Sequence, residues 1–110
     1  MNLDDPDVVW RAKMIADVES GVVARATEAL LSLTNHESDR AWIEGVLLEV
    51  VNGPFDLQVR QLAVICLGHV ARIHRATSEA VIRELKVLEE IPEFRSRAKN
   101  ALEDIEVFVK

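Results

Sequence analysis

The sequence predicts an all-α domain built from about six helices. Ala, Leu, Glu and Arg, which favour helix, are common, whereas the 110 residues include no Tyr, four Gly and three Pro. Apolar residues recur three and four positions apart along most of the chain. Short polar or Pro-containing breaks separate these amphipathic stretches. The length suits one domain, which we place at residues 1–110.

The first two predicted helices form the first hairpin. Asp5 and Pro6 predict the start of the first helix, because Asp caps helices well and Pro fits the first helical position. The pattern breaks near Gly21, and a second helix ends at Thr34-Asn35-His36. The apolar stripe of this second helix is Val22, Val23, Ala26, Leu30 and Leu33.

The third and fourth predicted helices form the second hairpin. Ser38 is predicted to cap a helix from Asp39 to about Val51. Asn52-Gly53-Pro54 ends that helix, and we expect Asn or Gly to take the left-handed conformation there. Asp56 is predicted to cap the fourth helix. Its apolar stripe is Val59, Leu62, Ala63, Cys66, Leu67, Val70 and Ile73.

A third hairpin completes the predicted fold. Thr77 or Ser78 begins the fifth helix, and Pro92 opens the sixth. Because the connections are short, consecutive helices are expected to run antiparallel as three αα-hairpins. The second helices repeat weakly, since a shift of 35 residues places Val59 on Phe94 and Ala63 on Ala98.

The stretch DLQVRQLAVICLG, residues 56–68, resembles the second helix of a HEAT or HEAT-like repeat. The pattern D-x-x-V-R-x-x-A-x-x-x-L-G is matched at Asp56, Val59, Arg60, Ala63, Leu67 and Gly68. The flanking units match at apolar positions alone. The resemblance implies a short solenoid of three stacked hairpins, in which Arg60 either bridges neighbouring units or is solvated.

Composition argues against several classes of function. The net charge is −6 with no basic patch, so we expect no direct nucleic-acid partner. His69 and His74 lie roughly 140° apart around a helix, a poor arrangement for a shared metal. Adjacent carboxylates on a helix point apart, and no nucleophile or phosphate-loop motif occurs. We therefore expect no enzyme activity, no cofactor and no metal.

The cellular setting is also constrained. Cys66 is the sole cysteine and lies in an apolar run, where a buried, inert thiol is expected. The first residues lack the layout of a signal peptide. No apolar run approaches the roughly 18 residues of a membrane span. We expect a cytoplasmic protein without a membrane partner.

In a stack of hairpins the second helices line one face, which suits a protein or peptide. The fourth helix would present Gln61, Ile65, His69 and Arg72 there, although Ile65 can instead pack on the next hairpin. Trp10 and Trp42 are large candidate anchors. For Trp42 a role in the core or hairpin seam is favoured.

The whole chain is also similar to small HEAT-like immunity proteins of bacterial contact-dependent growth-inhibition and related polymorphic toxin systems. This resemblance implies a monomer or 1:1 complex that neutralises a cognate toxin, often a basic nuclease, by blocking its active site. If the toxin is a ribonuclease, the contact surface is expected to mimic or screen phosphate. The expected contributors are Glu28, Asp39, Glu44, Asp56 and Asp104. The alternatives are a HEAT-like scaffold with several partners and a HEAT-like lyase acting on a tetrapyrrole-carrying partner, for which the chain is very short.

Overall fold

The computed structural model describes residues 5–110 and confirms the predicted all-α class. The first four residues of the predicted domain lie outside the described part. Within residues 5–110 there are six helices and no strand. They are α1 (Pro6–Val18), α2 (Val23–His36), α3 (Arg40–Asn52), α4 (Leu57–His74), α5 (Glu79–Leu88) and α6 (Arg95–Phe108).

The helices form three hairpins stacked in two layers. Each odd-numbered helix packs on the even-numbered helix that follows it. The second helices α2, α4 and α6 also pack side by side, with α4 in the middle. The molecule measures 41 × 31 × 18 Å. The smallest dimension corresponds to two helix layers, whose axes lie about 10 Å apart.

Helix α4 forms the centre of the core because it packs on α2, α3 and α6. Its buried residues include Ala63, Val64, Leu67 and Val70, each at most 1% exposed. Gly68 lets α6 approach closely, since a Cβ there would lie 3.0 Å from Ala101 Cα. Small residues at this contact therefore set the spacing between the second and third hairpins.

Arg60 connects the second and third hairpins. Its Nε donates to the Val51 carbonyl oxygen at 2.8 Å. Its guanidinium carbon lies 5.1 Å from the centre of the Phe94 ring, within the range of a cation–π contact. Of the two sequence alternatives for Arg60, the structure therefore has the bridging one.

Several predicted helix ends are confirmed and others are corrected. The Asp5 and Asp56 side chains cap α1 and α4 by accepting from backbone N–H groups. The cap of α3 is Asp39, not Ser38, because the Asp39 carboxylate accepts from Trp42 N at 3.1 Å. Ser78, the second of the two candidates, caps α5.

The predicted start of α6 and the predicted apolar stripe of α2 are also corrected. Helix α6 begins at Arg95 rather than at Pro92, because residues before it form a turn in which Phe94 N donates to the Ile91 carbonyl oxygen. That turn buries the Phe94 ring against the core. Val22 lies before α2 and is 49% exposed, so it is not part of the buried stripe.

Two further expectations from sequence are wrong. Ile73 is 47% exposed and so does not belong to the buried stripe of α4. Gly53 follows α3 with φ −96°, which is ordinary extended backbone rather than the left-handed conformation. Positive φ occurs instead at Gly21 (79°), where α1 turns into α2, and at Arg75 (56°), which ends α4.

Candidate functional site

A shallow groove crosses the outer face of the layer formed by α2, α4 and α6. We call it the second-helix groove. Its volume is about 330 Å³, and no helix of the other layer contributes to its lining. Its lining residues are Thr27, Leu31, Gln58, Gln61, Leu62, Ile65 and Arg97. All three hairpins therefore share one surface, because stacking brings their second helices side by side.

The floor of this groove is apolar and its rim is polar. Leu31 is 40% exposed, while Leu62 and Ile65 are half-buried. Gln61 Nε2 donates to the Glu93 carbonyl oxygen at 2.8 Å and so ties α4 to the turn before α6. An apolar floor with amide and guanidinium groups at its edge is typical of a surface that contacts another protein.

His69, Arg72 and Asp104 continue the same side of α4 and α6. The Asp104 carboxylate lies over Gly68, 3.3 Å from where a Cβ would stand. Burial lowers the pKa of His69, and the charge of Arg72 lowers it further, against the opposing effect of Asp104. This lowered pKa favours the neutral imidazole of His69, which can donate or accept a hydrogen bond.

Trp10, Asp39 and Trp42 lie elsewhere, around the turn between α2 and α3. Arg11 stacks on Trp42, with 4.4 Å between the guanidinium carbon and the ring centre. Both Trp side chains are half-buried and pack against the core. Trp42 therefore packs in the protein, which is the role that the sequence favoured for it. Trp10 also lines a small surface depression beside Arg11 and Glu37.

Three of the five predicted carboxylates lie on different helices or turns with no shared surface depression. Glu28 lines a depression between α1 and α2. Asp56 lies at the turn before α4, where it serves as the cap. Glu44 is 4% exposed and accepts from Arg40 Nη1 at 2.8 Å and Thr77 Oγ1 at 3.0 Å. Glu44 therefore binds the connection between α4 and α5. Because it is buried, its carboxylate is not available to a partner.

Leu31 is the principal groove residue that was not predicted from the sequence. It lies between Leu30 and Leu33, which are both fully buried. The run LLSL gives no sign of which Leu faces outward. The available signal was helical spacing, because Leu31 stands four positions after Thr27 on the same side of α2.

The described residues include one buried thiol and no cluster of potential metal ligands. Burial raises the pKa of the Cys66 thiol to about 11, so the nucleophilic thiolate is scarce. Among residues 5–110, no three His, Cys, Asp or Glu side chains are placed to hold a metal ion. No helix of this part is long and apolar enough to cross a membrane.

Comparisons of the chain with protein-family models, with curated proteins and with solved structures found no match.

Proposed function

We propose that this protein is an immunity protein that binds a cognate toxin domain in the cytoplasm and blocks its active site. The observation that carries the proposal is the second-helix groove, in which Leu31 is exposed beside Leu62 and Ile65. Exposed apolar groups with a polar rim mark protein contact sites. The sequence resemblance to small immunity proteins supplies the class of partner.

The groove is the right size to receive one or two anchoring side chains. Its roughly 330 Å³ lies at the lower end of the range of about 300–1,000 Å³ found for ligand pockets. Interfaces commonly concentrate their binding energy in a few aromatic or Arg side chains that fill such pockets. Gln61 and Arg97 at the rim would then fix the orientation of the toxin through hydrogen bonds.

Electrostatic attraction would speed this association, but the predicted carboxylates would not form one acidic surface that fills the active site of the toxin. The net charge of −6 attracts a basic nuclease over a distance. Of the five carboxylates predicted to mimic phosphate, Asp104 is the one beside the α4 side chains that extend the groove, while Glu44 is buried. A basic toxin would therefore be held mainly by packing and hydrogen bonds at the groove.

A HEAT-like scaffold is the second candidate function. It is favoured by the mixed character of the groove, which places Arg97 beside neutral amides and apolar groups. Without a dominant charge, such a surface would not reject one peptide in favour of another by electrostatic repulsion. The two functions differ in affinity and number of partners: an immunity protein binds one protein tightly, and a scaffold binds several weakly.

The test is co-expression with the protein encoded immediately upstream, followed by purification and titration calorimetry. We expect the upstream protein alone to stop growth and co-expression to restore it. The purified complex should be 1:1, with a nanomolar or lower Kd. A harmless upstream protein that does not bind would overturn the immunity proposal, while micromolar binding of several proteins would favour the scaffold.

A further inference from the structure

A second concave surface lies at the edge of the molecule where α1 turns into α2 and α3 turns into α4. We call it the loop-edge cleft. It consists of an open depression of about 390 Å³ and a neighbouring one of about 260 Å³. The two share a wall formed by Val18, Glu19, Pro54 and Phe55. No residue of the second-helix groove contributes to either depression.

The base of the loop-edge cleft is apolar. Val18 and Val59 lie at its bottom, 3% and 2% exposed, and the half-buried Phe55 stands between the two depressions. Val22 forms an outer wall and is 49% exposed. The larger depression is big enough for one bulky aliphatic or aromatic side chain and part of its backbone.

The rim of the cleft carries negative charge alone. Glu19, Glu49 and Asp56 are all exposed, and no Lys, Arg or His lines either depression. Within residues 5–110, none of these three carboxylates forms an ion pair. Among the described residues, therefore, no cationic side chain pairs with the rim, although Asp56 also accepts a hydrogen bond from Gln58 N as the cap of α4.

We propose that the loop-edge cleft docks a basic segment of a protein partner, with one aliphatic or aromatic side chain in the larger depression and Lys or Arg on either side. The apolar base binds the anchor by removing its surface from water. The three carboxylates complement flanking cations and reject acidic segments. This proposal stands whether or not the second-helix groove binds a toxin.

The test uses three synthetic peptides and amide NMR of the full chain. The first has a Leu-Phe pair between basic residues, the second keeps this pair between acidic residues, and the third replaces the pair by Ser-Ser between basic residues. We expect the first peptide alone to bind with saturation and to shift the amides of Gly21, Val23, Gly53 and Phe55. Gln61 and Ile65 in the second-helix groove should not shift.

Two triple variants distinguish the effect of the rim carboxylates on peptide binding from the effect of the net charge of the protein. Glu19→Gln, Glu49→Gln and Asp56→Asn together neutralise the rim, and Asn at position 56 keeps the cap of α4. The control is Glu79→Gln, Glu103→Gln and Glu106→Gln, which changes net charge equally at exposed sites outside the cleft. The rim variant should bind the first peptide about three- to thirtyfold more weakly, and the control less than about twofold.

An apolar variant tests the anchor without risk to the fold. Val22 is the residue at the N-cap position of α2 and makes no side-chain cap hydrogen bond. Val22→Ser introduces a capping hydroxyl, so it should raise the melting temperature while weakening peptide binding. The proposal is overturned if no peptide binds at millimolar concentration, if the Ser-Ser peptide binds equally, or if shifts occur in the second-helix groove. Equal weakening by both charge variants, or peptide-induced self-association seen by sedimentation, would also overturn it.

Discussion

Replacing Glu37 should destabilise the protein more than any change at an exposed ion pair. The Glu37 side chain is 4% exposed and accepts from Arg11 Nε at 2.7 Å and Arg11 Nη2 at 2.6 Å. It also accepts from Asp39 N at 2.8 Å. One carboxylate thus joins α1 to the turn that leads into α3 and places Arg11 over Trp42.

The size of the effect follows from what remains after substitution. Removing one partner of a buried ion pair costs about 3–5 kcal/mol. Arg11 is 32% exposed and can regain water, so we expect the lower end, about 3 kcal/mol, for Glu37→Ala. Glu37→Gln keeps an acceptor for Asp39 N and should cost about 1–2 kcal/mol.

The pH dependence gives a second test. The hydrogen bonds from Arg11, followed by the backbone N–H of Asp39, outweigh burial and lower the pKa of Glu37. A lowered native pKa means that the stabilisation is complete above the unfolded pKa of about 4.3 and is lost as pH falls through the native pKa. The stability gap between the native protein and Glu37→Gln should therefore narrow below about pH 4.

Chemical denaturation at pH 7 and at several acidic pH values measures these differences. The control is Lys13→Ala, which breaks an exposed pair with Asp17 and should cost less than about 0.5 kcal/mol. A free energy of unfolding for Glu37→Ala within about 0.5 kcal/mol of the control would refute the reasoning. So would a gap for Glu37→Gln that stays constant down to about pH 2.5.

Three other outcomes are expected. Gly68→Val should lower the free energy of unfolding by about 2–4 kcal/mol, because even a Cβ would lie 3.1 Å from Ala101 Cβ. Denaturant titration measures this change. The control is Gly45→Ala, which should not destabilise the protein because a Cβ there meets nothing within 4 Å. Val22→Ser should raise stability by about 0.5–1 kcal/mol in a thermal melt, and a fall would contradict the free cap position. Cys66 should resist a thiol reagent at pH 8 until the protein unfolds, because burial raises its pKa to about 11; rapid labelling of the native protein would contradict its burial.

The sequence predicted the helices well because their signals are local. Asp5 and Asp56 act through hydrogen bonds within one turn, so their roles can be identified without knowing the rest of the fold. Apolar spacing likewise identifies the buried side of α4. The start of α6 was misplaced because a non-helical turn is held by the burial of Phe94, which depends on the neighbouring hairpin.

The candidate site was harder to predict because it depends on contacts far apart in the chain. Glu44 resembles any acidic residue on a helix, and its burial results from contacts with Thr77 and Ser78, more than thirty residues later. Gln61 and Ile65 were correctly placed on the outer side of α4, where they line the groove. Leu31 was missed because exposure within an apolar run depends on which neighbouring helix covers it.

The most direct test of the central claim is the affinity of a Leu31→Lys variant for the protein encoded immediately upstream. Leu31 is 40% exposed in the second-helix groove, and Val87→Lys provides a control at an apolar residue of α5 that is 58% exposed and outside the groove. Titration calorimetry should show binding weakened about tenfold or more by Leu31→Lys, with rescue of growth reduced, and unchanged by Val87→Lys. Equal affinity of both variants and the native protein would contradict the assignment of the binding surface to this groove.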